Sequence, residues 1–200
     1  MIRHGKTKGN LEKRYVGTTD EGILTEEIDY IKGHISVFEP VRYVYCSPMK
    51  RCMETAALIY PQIAYAICPN FRECDFGTFE YHNYTDLKGN TAYQDWIDSN
   101  GTNPFPEGEC VASFKKRCIQ EFRSVLAEAS AMRYTSIACV VHGGTIMAIM
   151  EAFASPLRSY YDWQIDNLSG YRTEVCMNHG KDNSMMTSYQ KIEREVTIQP

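Results

Sequence analysis

With 200 residues the chain has room for one substantial α/β domain and not for two ordinary ones. Its 44% hydrophobic and 23% charged residues are ordinary globular usage. A net charge of −4 excludes general affinity for nucleic acid or anionic membranes, so an anionic ligand needs a local cluster of positive groups, for which Arg3, Lys6 and Arg51 stand out. No apolar run reaches the about 18 residues of a membrane span, and no signal peptide precedes Arg3. The eight cysteines form no C-x-x-C pair, and Cys46, Cys139 and Cys176 fall in segments read as buried. Reduced thiols in a cytoplasmic protein are expected.

In chain order, Leu24 to Phe38 reads as an amphipathic helix starting at Thr25, with Glu26 and Glu27 suited to its first turn. Arg42 to Cys46 is a short β-type run ended by Ser47-Pro48. Met49 to Tyr60 is a helix stopped before Pro61, and Ala64 to Cys68 is a further strand. Asn100 to Asn103 is a loop. Glu109 to Arg133 is a long helix, with Val111, Phe114, Cys118, Phe122, Val125 and Ala129 at helical spacing. Ser136 to Val141 is nearly continuously apolar, as in a strand buried on both faces. His142-Gly143-Gly144 interrupts it, and Thr145 to Phe153 is helical. Gly170 to Met177 and Ser184 to Ile192 form a terminal strand pair around a loop at His179 to Asn183. Strands alternating with helices predict a three-layer α/β/α sandwich on a mainly parallel sheet, one domain over 1–200. Its strand-turn-helix units put their turns at the carboxyl edge of the sheet, where α/β proteins place ligands.

Arg3-His4-Gly5 carries the chemistry. An imidazole is a nucleophile toward phosphorus, a guanidinium grips phosphoryl oxygens with a planar fork of donors, and glycine lets the backbone pass close to an anion. Four later segments complete the pattern: Asn10 with Tyr15, Gly17, Asp20 and Leu24-Thr25; Ser47 to Ala56; Glu73-Cys74-Asp75-Phe76-Gly77; and His142-Gly143-Gly144. From Arg3 to about Ala148, these ordered motifs resemble the histidine phosphatase superfamily, the phosphoglycerate-mutase-like proteins. The resemblance implies a sheet with one antiparallel strand. It implies His4 as nucleophile, with Arg3, Arg51 and His142 around the phosphoryl group and the Gly143 N–H assisting. Asn10 and Gly17 are further phosphate contacts, although Asn10 also suits a helix cap. Ser47 either orients the pocket or caps a helix. Glu73 is the expected proton donor, with Asp75 and Glu80 as rival carboxylates. His34, His82 and His179 match no motif and read as surface residues. Family members carry several apolar residues before the R-H-G segment, whereas only Met1 and Ile2 stand there here, so the first strand is very short or the true start lies upstream.

No metal-spaced cluster, Walker loop or dinucleotide fingerprint is present. Arginines and histidines supply the positive charge, so no metal or other cofactor is required. The acid segment and Pro106-Glu107-Gly108-Glu109 resemble the α-ribazole phosphatase and broad-specificity branch, with Cys110 where serine is usual. The expected partner is a small phosphate monoester. Residues 80–108 are expected to cover the site. They hold one basic residue, Lys88, against Glu80, Asp86, Asp95, Asp98 and Glu107, which disfavours the doubly anionic substrate of the alternative, a phosphoglycerate mutase. A non-catalytic phosphate-binding protein on the same fold is the other alternative. Tyr84, Tyr93, Trp96 and Phe105 serve either a substrate ring or the core.

Overall fold

The computed structural model describes residues 1–176 and 185–194. Its strands are β1 (Ile2–Arg3), β2 (Tyr43–Cys46), β3 (Tyr65–Ile67), β4 (Ile137–Val141), β5 (Gly170–Cys176) and β6 (Met185–Ile192). The α-helices are α1 (Lys8–Leu11), α2 (Thr25–Gly33), α3 (Lys50–Ile59), α4 (Thr91–Asp98), α5 (Val111–Ala131) and α6 (Gly143–Phe153). The strands form one sheet in the order β3-β2-β4-β1-β5-β6. β3, β2, β4 and β1 are parallel, and β5 runs against both of its neighbours. This is the expected α/β sandwich with a single antiparallel strand.

The continuous apolar run of β4 is explained by its place between β2 and β1. Alternate side chains enter opposite layers. Tyr45, Cys139 and Val141 pack with Phe122, Val125 and Leu126 of α5 and Ile146, Ile149 and Met150 of α6. Val44, Cys46, Ala138 and Val140 pack with Ile31 of α2 and Cys52, Ala56 and Ile59 of α3. A third cluster joins Phe79, Leu87, Tyr93 and Phe105 to Phe114 and Cys118 of α5.

Several boundaries differ from expectation. α6 starts at Gly143 because His142, in extended backbone, already serves as its N-cap. α2 ends at Gly33, and a single 3₁₀ turn over Ile35–Val37 follows. α4 carries only a short apolar stripe and was not foreseen. Asn90 caps it by accepting from the Tyr93 N–H at 3.0 Å. Tyr93 and Phe105 are buried, so these two aromatics are core residues, whereas Tyr84 is exposed. None of the eight cysteines is paired. Cys46 and Cys139 are buried as expected, but Cys176 is exposed, because it lies on the face of β5 that Arg172 and Glu174 also turn to solvent. The expected loop at His179 to Asn183, with Met177 and Ser184, lies outside the described residues.

β1 is as short as expected, yet it is pinned on both sides. The Arg3 N–H donates to Ser169 O (2.9 Å), the His4 N–H to Val141 O (3.0 Å), and the Leu168 and Tyr171 N–H groups to the carbonyls of Arg3 and Met1 (3.1 and 3.0 Å). Beyond Ile2, at the amino edge of the sheet, lies a cavity of about 760 Å³ lined by Met1, Ile137, Cys139, Tyr171 and Val175 among others. Gly170 sits against β1 so closely that a Cβ there would lie 2.0 Å from Met1 O. Gly170→Ala must therefore push β5 away from the strand that carries His4. We expect a loss of about 1–3 kcal/mol, the usual cost of overpacking, measured by denaturant unfolding. Unchanged stability would show that β1 is not held by this contact.

Candidate active site

Four parallel strands end at the same edge of the sheet and deliver the predicted residues together. β1 delivers Arg3 and His4, β2 leads through Ser47 into α3 and Arg51, and β4 leads into His142 at the N-terminus of α6. β3 is followed by the turn that carries Glu73.

His4 is buried, and its Nδ1 lies 2.7 Å from Gly5 O. A carbonyl only accepts, so Nδ1 carries the proton and Nε2 keeps its lone pair. Burial, then Arg51 and Arg3, hold the His4 pKa well below the usual histidine value. The loop behind it is fixed. The Gly5 N–H donates to Thr55 Oγ1 (2.9 Å), which donates to Arg51 O (2.7 Å), and Asn167 Nδ2 donates to His4 O (2.9 Å).

Arg51 is fully buried. Its Nη1 donates to Thr19 O (2.8 Å), and its Nη2 to Val16 O (3.2 Å) and Gly17 O (3.1 Å). Arg3 Nη1 donates to Ile165 O at 2.7 Å. The Nε atoms of both arginines are buried without a partner. Both guanidinium groups stand close enough to His4 and His142 to disfavour a charge on either imidazole. Lys6, the third candidate cation, instead uses its backbone N–H to bond the buried Glu27 carboxylate at 2.9 Å.

His142 meets His4 edge-on, with ring centroids 5.2 Å apart. Its Nε2 lies 2.7 Å from Ser47 Oγ, and Cys52 Sγ stands 3.6 Å from the same nitrogen. Ser47 therefore orients this histidine, while Met49 occupies the N-cap of α3. Burial, then Arg51, His4 and Arg3, lower the His142 pKa well below its usual value. Burial also pushes the Cys52 thiol up to about 12, so it stays neutral. Gly143 opens α6, and its N–H belongs to the first turn, which has no intrahelical acceptor.

The three carboxylates separate by what they hold. Asp75 Oδ1 accepts from the Gly77 N–H (2.9 Å) and shapes the turn. Glu80 accepts from the N–H groups of Gly17 and Thr19, both at 2.9 Å. Glu73 is half-buried, and its Oε1 accepts from the Cys74 N–H at 3.0 Å. Burial raises the Glu73 pKa against the pull of that N–H, Arg51, Arg3 and the Gly144 N–H. A Cβ on Gly144 would lie 2.6 Å from Glu73 Oε1, so only glycine lets the carboxyl group reach the start of α6.

Asn10 and Gly17 differ from the simple expectation. Asn10 closes a capping box with Thr7 on α1, and its Oδ1 also accepts from Asn167 Nδ2 at 3.1 Å. The Gly17 N–H is taken by Glu80 rather than left open to a ligand. Asn167, Thr55 and Glu80 support the site without having been singled out for that role; Asn167 lies 163 positions from the His4 carbonyl it holds, in no motif. His82 is exposed, His34 stacks on Tyr30 with centroids 4.1 Å apart, and His179 lies outside the described residues. Among the described residues, no three His, Cys, Asp or Glu side chains are grouped to hold a metal ion, and no helix is long and apolar enough to cross a membrane.

The family model for the histidine phosphatase superfamily, branch 1, matches residues 1–183. Over 177 residues, 83% of this chain and 84% of the relative, the chain is 26% identical to the adenosylcobalamin/α-ribazole phosphatase of Escherichia coli K12. The crystal structure of the α-ribazole phosphatase from Shigella flexneri superposes with a TM-score of 0.74 at 21% identity, covering 100% of this chain and 98% of that one. The phosphoserine phosphatase from Entamoeba histolytica, solved with 3-phosphoglyceric acid, superposes with a TM-score of 0.72 at 24% identity, covering 94% and 93%.

The lowered pKa values of His4 and His142 have a consequence in solution. Below the ordinary histidine value of about 6.5 the unfolded chain binds protons that the native site refuses, so stability falls as pH drops through that value. ¹⁵N-histidine NMR on the ligand-free protein should find two imidazoles still neutral at about pH 6. Both must lose their signature in His4→Gln and His142→Gln. Midpoints at or above the ordinary value would contradict the desolvated site.

Proposed function

The chain belongs to branch 1 of the histidine phosphatase superfamily, and we propose that it hydrolyses small phosphate monoesters through a phosphohistidine on His4. The observation that carries this reading is the convergence of Arg51, Arg3 and His142 on a neutral imidazole whose Nδ1 is already committed to Gly5 O. Arg3 and Arg51 take the phosphoryl oxygens, assisted by His142, the Gly143 N–H and the side-chain amide of Asn10. His4 Nε2 attacks phosphorus as the ester P–O bond breaks, and the protonated Glu73 gives its proton to the leaving alkoxide. Water then attacks the phosphohistidine. Glu73 takes a proton from it, the P–N bond breaks and inorganic phosphate leaves. Gly17 enters this scheme through its carbonyl, which holds Arg51.

Charge on the transferring group is neutralised by arginine, so the reaction is proposed to need no metal. Hydrolysis is favoured over mutase chemistry by the single basic residue in 80–108 and by the phosphatase relatives. That segment is proposed to cover the substrate. Eight unpaired cysteines fit a reducing compartment such as the cytoplasm.

Phosphate release from a panel of phosphomonoesters, measured after exhaustive chelation, tests the reading. Full activity is expected without metal, and His4→Ala should lower kcat on the order of 10⁴-fold or more, as loss of a nucleophile does elsewhere. A requirement for added divalent metal, or turnover that survives His4→Ala, would overturn it.

A further inference from the structure

α5 supplies no group to the proposed reacting centre, yet one of its side chains reaches the backbone beneath Glu73. Arg117 donates from Nη1 to Asn70 O and Arg72 O, both at 2.7 Å, and from Nη2 to Glu73 O at 2.9 Å. Its remaining two N–H groups bond Glu109 side-on, Nε to Oε1 and Nη2 to Oε2, both at 2.7 Å. All five guanidinium protons are thereby used. The pair is largely buried, with side chains 12% and 14% exposed. The Glu109 N–H donates to Asp75 O at 2.8 Å, so the same unit grips the acid turn from both ends. The Arg117 guanidinium also lies 4.9 Å from the Phe114 ring, which fixes its plane.

An exposed ion pair contributes little, but this one is inside the protein and spends three of its hydrogen bonds on main-chain carbonyls of a single short segment. That segment has no regular structure at Arg72 and Glu73 and is not part of the sheet. Its carboxyl group must nevertheless stand within hydrogen-bond reach of a leaving oxygen. We propose that Arg117, held flat by Glu109, is the positioning residue for Glu73: it sets where the proton donor stands relative to the ester oxygen. The proposal rests on the reading of Glu73 as proton donor. Lysine cannot replace Arg117, because an ammonium has three protons on one point and cannot span a carboxylate and three carbonyls.

A purely structural role would reduce hydrolysis of all esters alike. A positioning role has a different signature. An alkyl alkoxide leaves poorly without a proton, whereas nitrophenolate leaves well unprotonated, so disturbing Glu73 must slow alkyl esters more. The test is single-turnover phosphorylation of the full chain by an alkyl phosphate and by 4-nitrophenyl phosphate, in wild type, Arg117→Lys, Glu73→Gln and the double variant, with inhibition by inorganic phosphate and thermal melts alongside. General acid assistance is typically worth about 10²–10⁴-fold, so Arg117→Lys should raise the nitrophenyl-to-alkyl rate ratio at least about tenfold. Inhibition by phosphate should stay unchanged, because Arg3 and Arg51 are untouched. The double variant should show no larger ratio than Glu73→Gln alone, since the two residues act as one unit. Should Arg117→Lys fail to fold, Glu109→Gln carries the test with the same ratio as readout. An unchanged ratio in the folded Arg117 or Glu109 variant, with a raised ratio in Glu73→Gln, would overturn the positioning role and leave Glu73 as proton donor. An unchanged ratio in Glu73→Gln would overturn both.

Discussion

The site is organised by two guanidinium groups, the fully buried Arg51 and the partly buried Arg3, close to two buried imidazoles that they help keep uncharged. Arg51 is fully buried, and main-chain carbonyls of Val16, Gly17 and Thr19 hold it in place of a carboxylate. Carbonyl acceptors orient a guanidinium without cancelling its charge, which leaves the positive field to act on the neighbouring imidazoles. The same field, added to burial, keeps His4 and His142 neutral. A neutral His4 with its Nδ1 committed to Gly5 O keeps the lone pair on Nε2, which is what the proposed attack on phosphorus requires.

Such a site is costly to assemble, and the fold meets that cost by tying each part to a different element. Glu80 holds the amides of Gly17 and Thr19, whose carbonyls hold Arg51. Thr55 links Gly5 to the backbone of Arg51, and Asn167 fastens His4 O to Asn10. Arg117 does the same for the turn that carries Glu73. A parallel sheet makes this possible, because the carboxyl ends of β1, β2, β3 and β4 all lie on one edge. The two-residue β1 suffices because its neighbours Val141 and Ser169 bond the backbone of His4 and Arg3 directly.

The layered fold and the gathering of the motif residues at one edge of the sheet were legible in the sequence for a common reason. Motif residues such as Arg3-His4-Gly5 and Ser47 to Ala56 are contiguous and follow strands whose apolar runs identify them. What was not legible depends on contacts between distant positions. Asn167 lies in a segment without periodicity or motif, and its role exists only once the chain has folded back on His4. Arg117 was hidden on a helix whose apolar spacing spoke only for the core. The spoken-for amide of Gly17 could not be read either, because Glu80 is 63 residues away. α4 was missed because its aromatic residues serve a local cluster with Tyr15, Phe79 and Phe105 rather than a long amphipathic stripe.

The most direct measurement is the identity of the covalent intermediate. Protein mixed with ³²P-labelled phosphomonoester and quenched within milliseconds in alkali should carry label that is stable to base and lost in acid. Peptide mapping should place it on His4, attached through Nε2, because Nδ1 is bonded to Gly5 O. Label on another residue, label on Nδ1, or a full burst of product with no covalent label at any quench time would contradict the account.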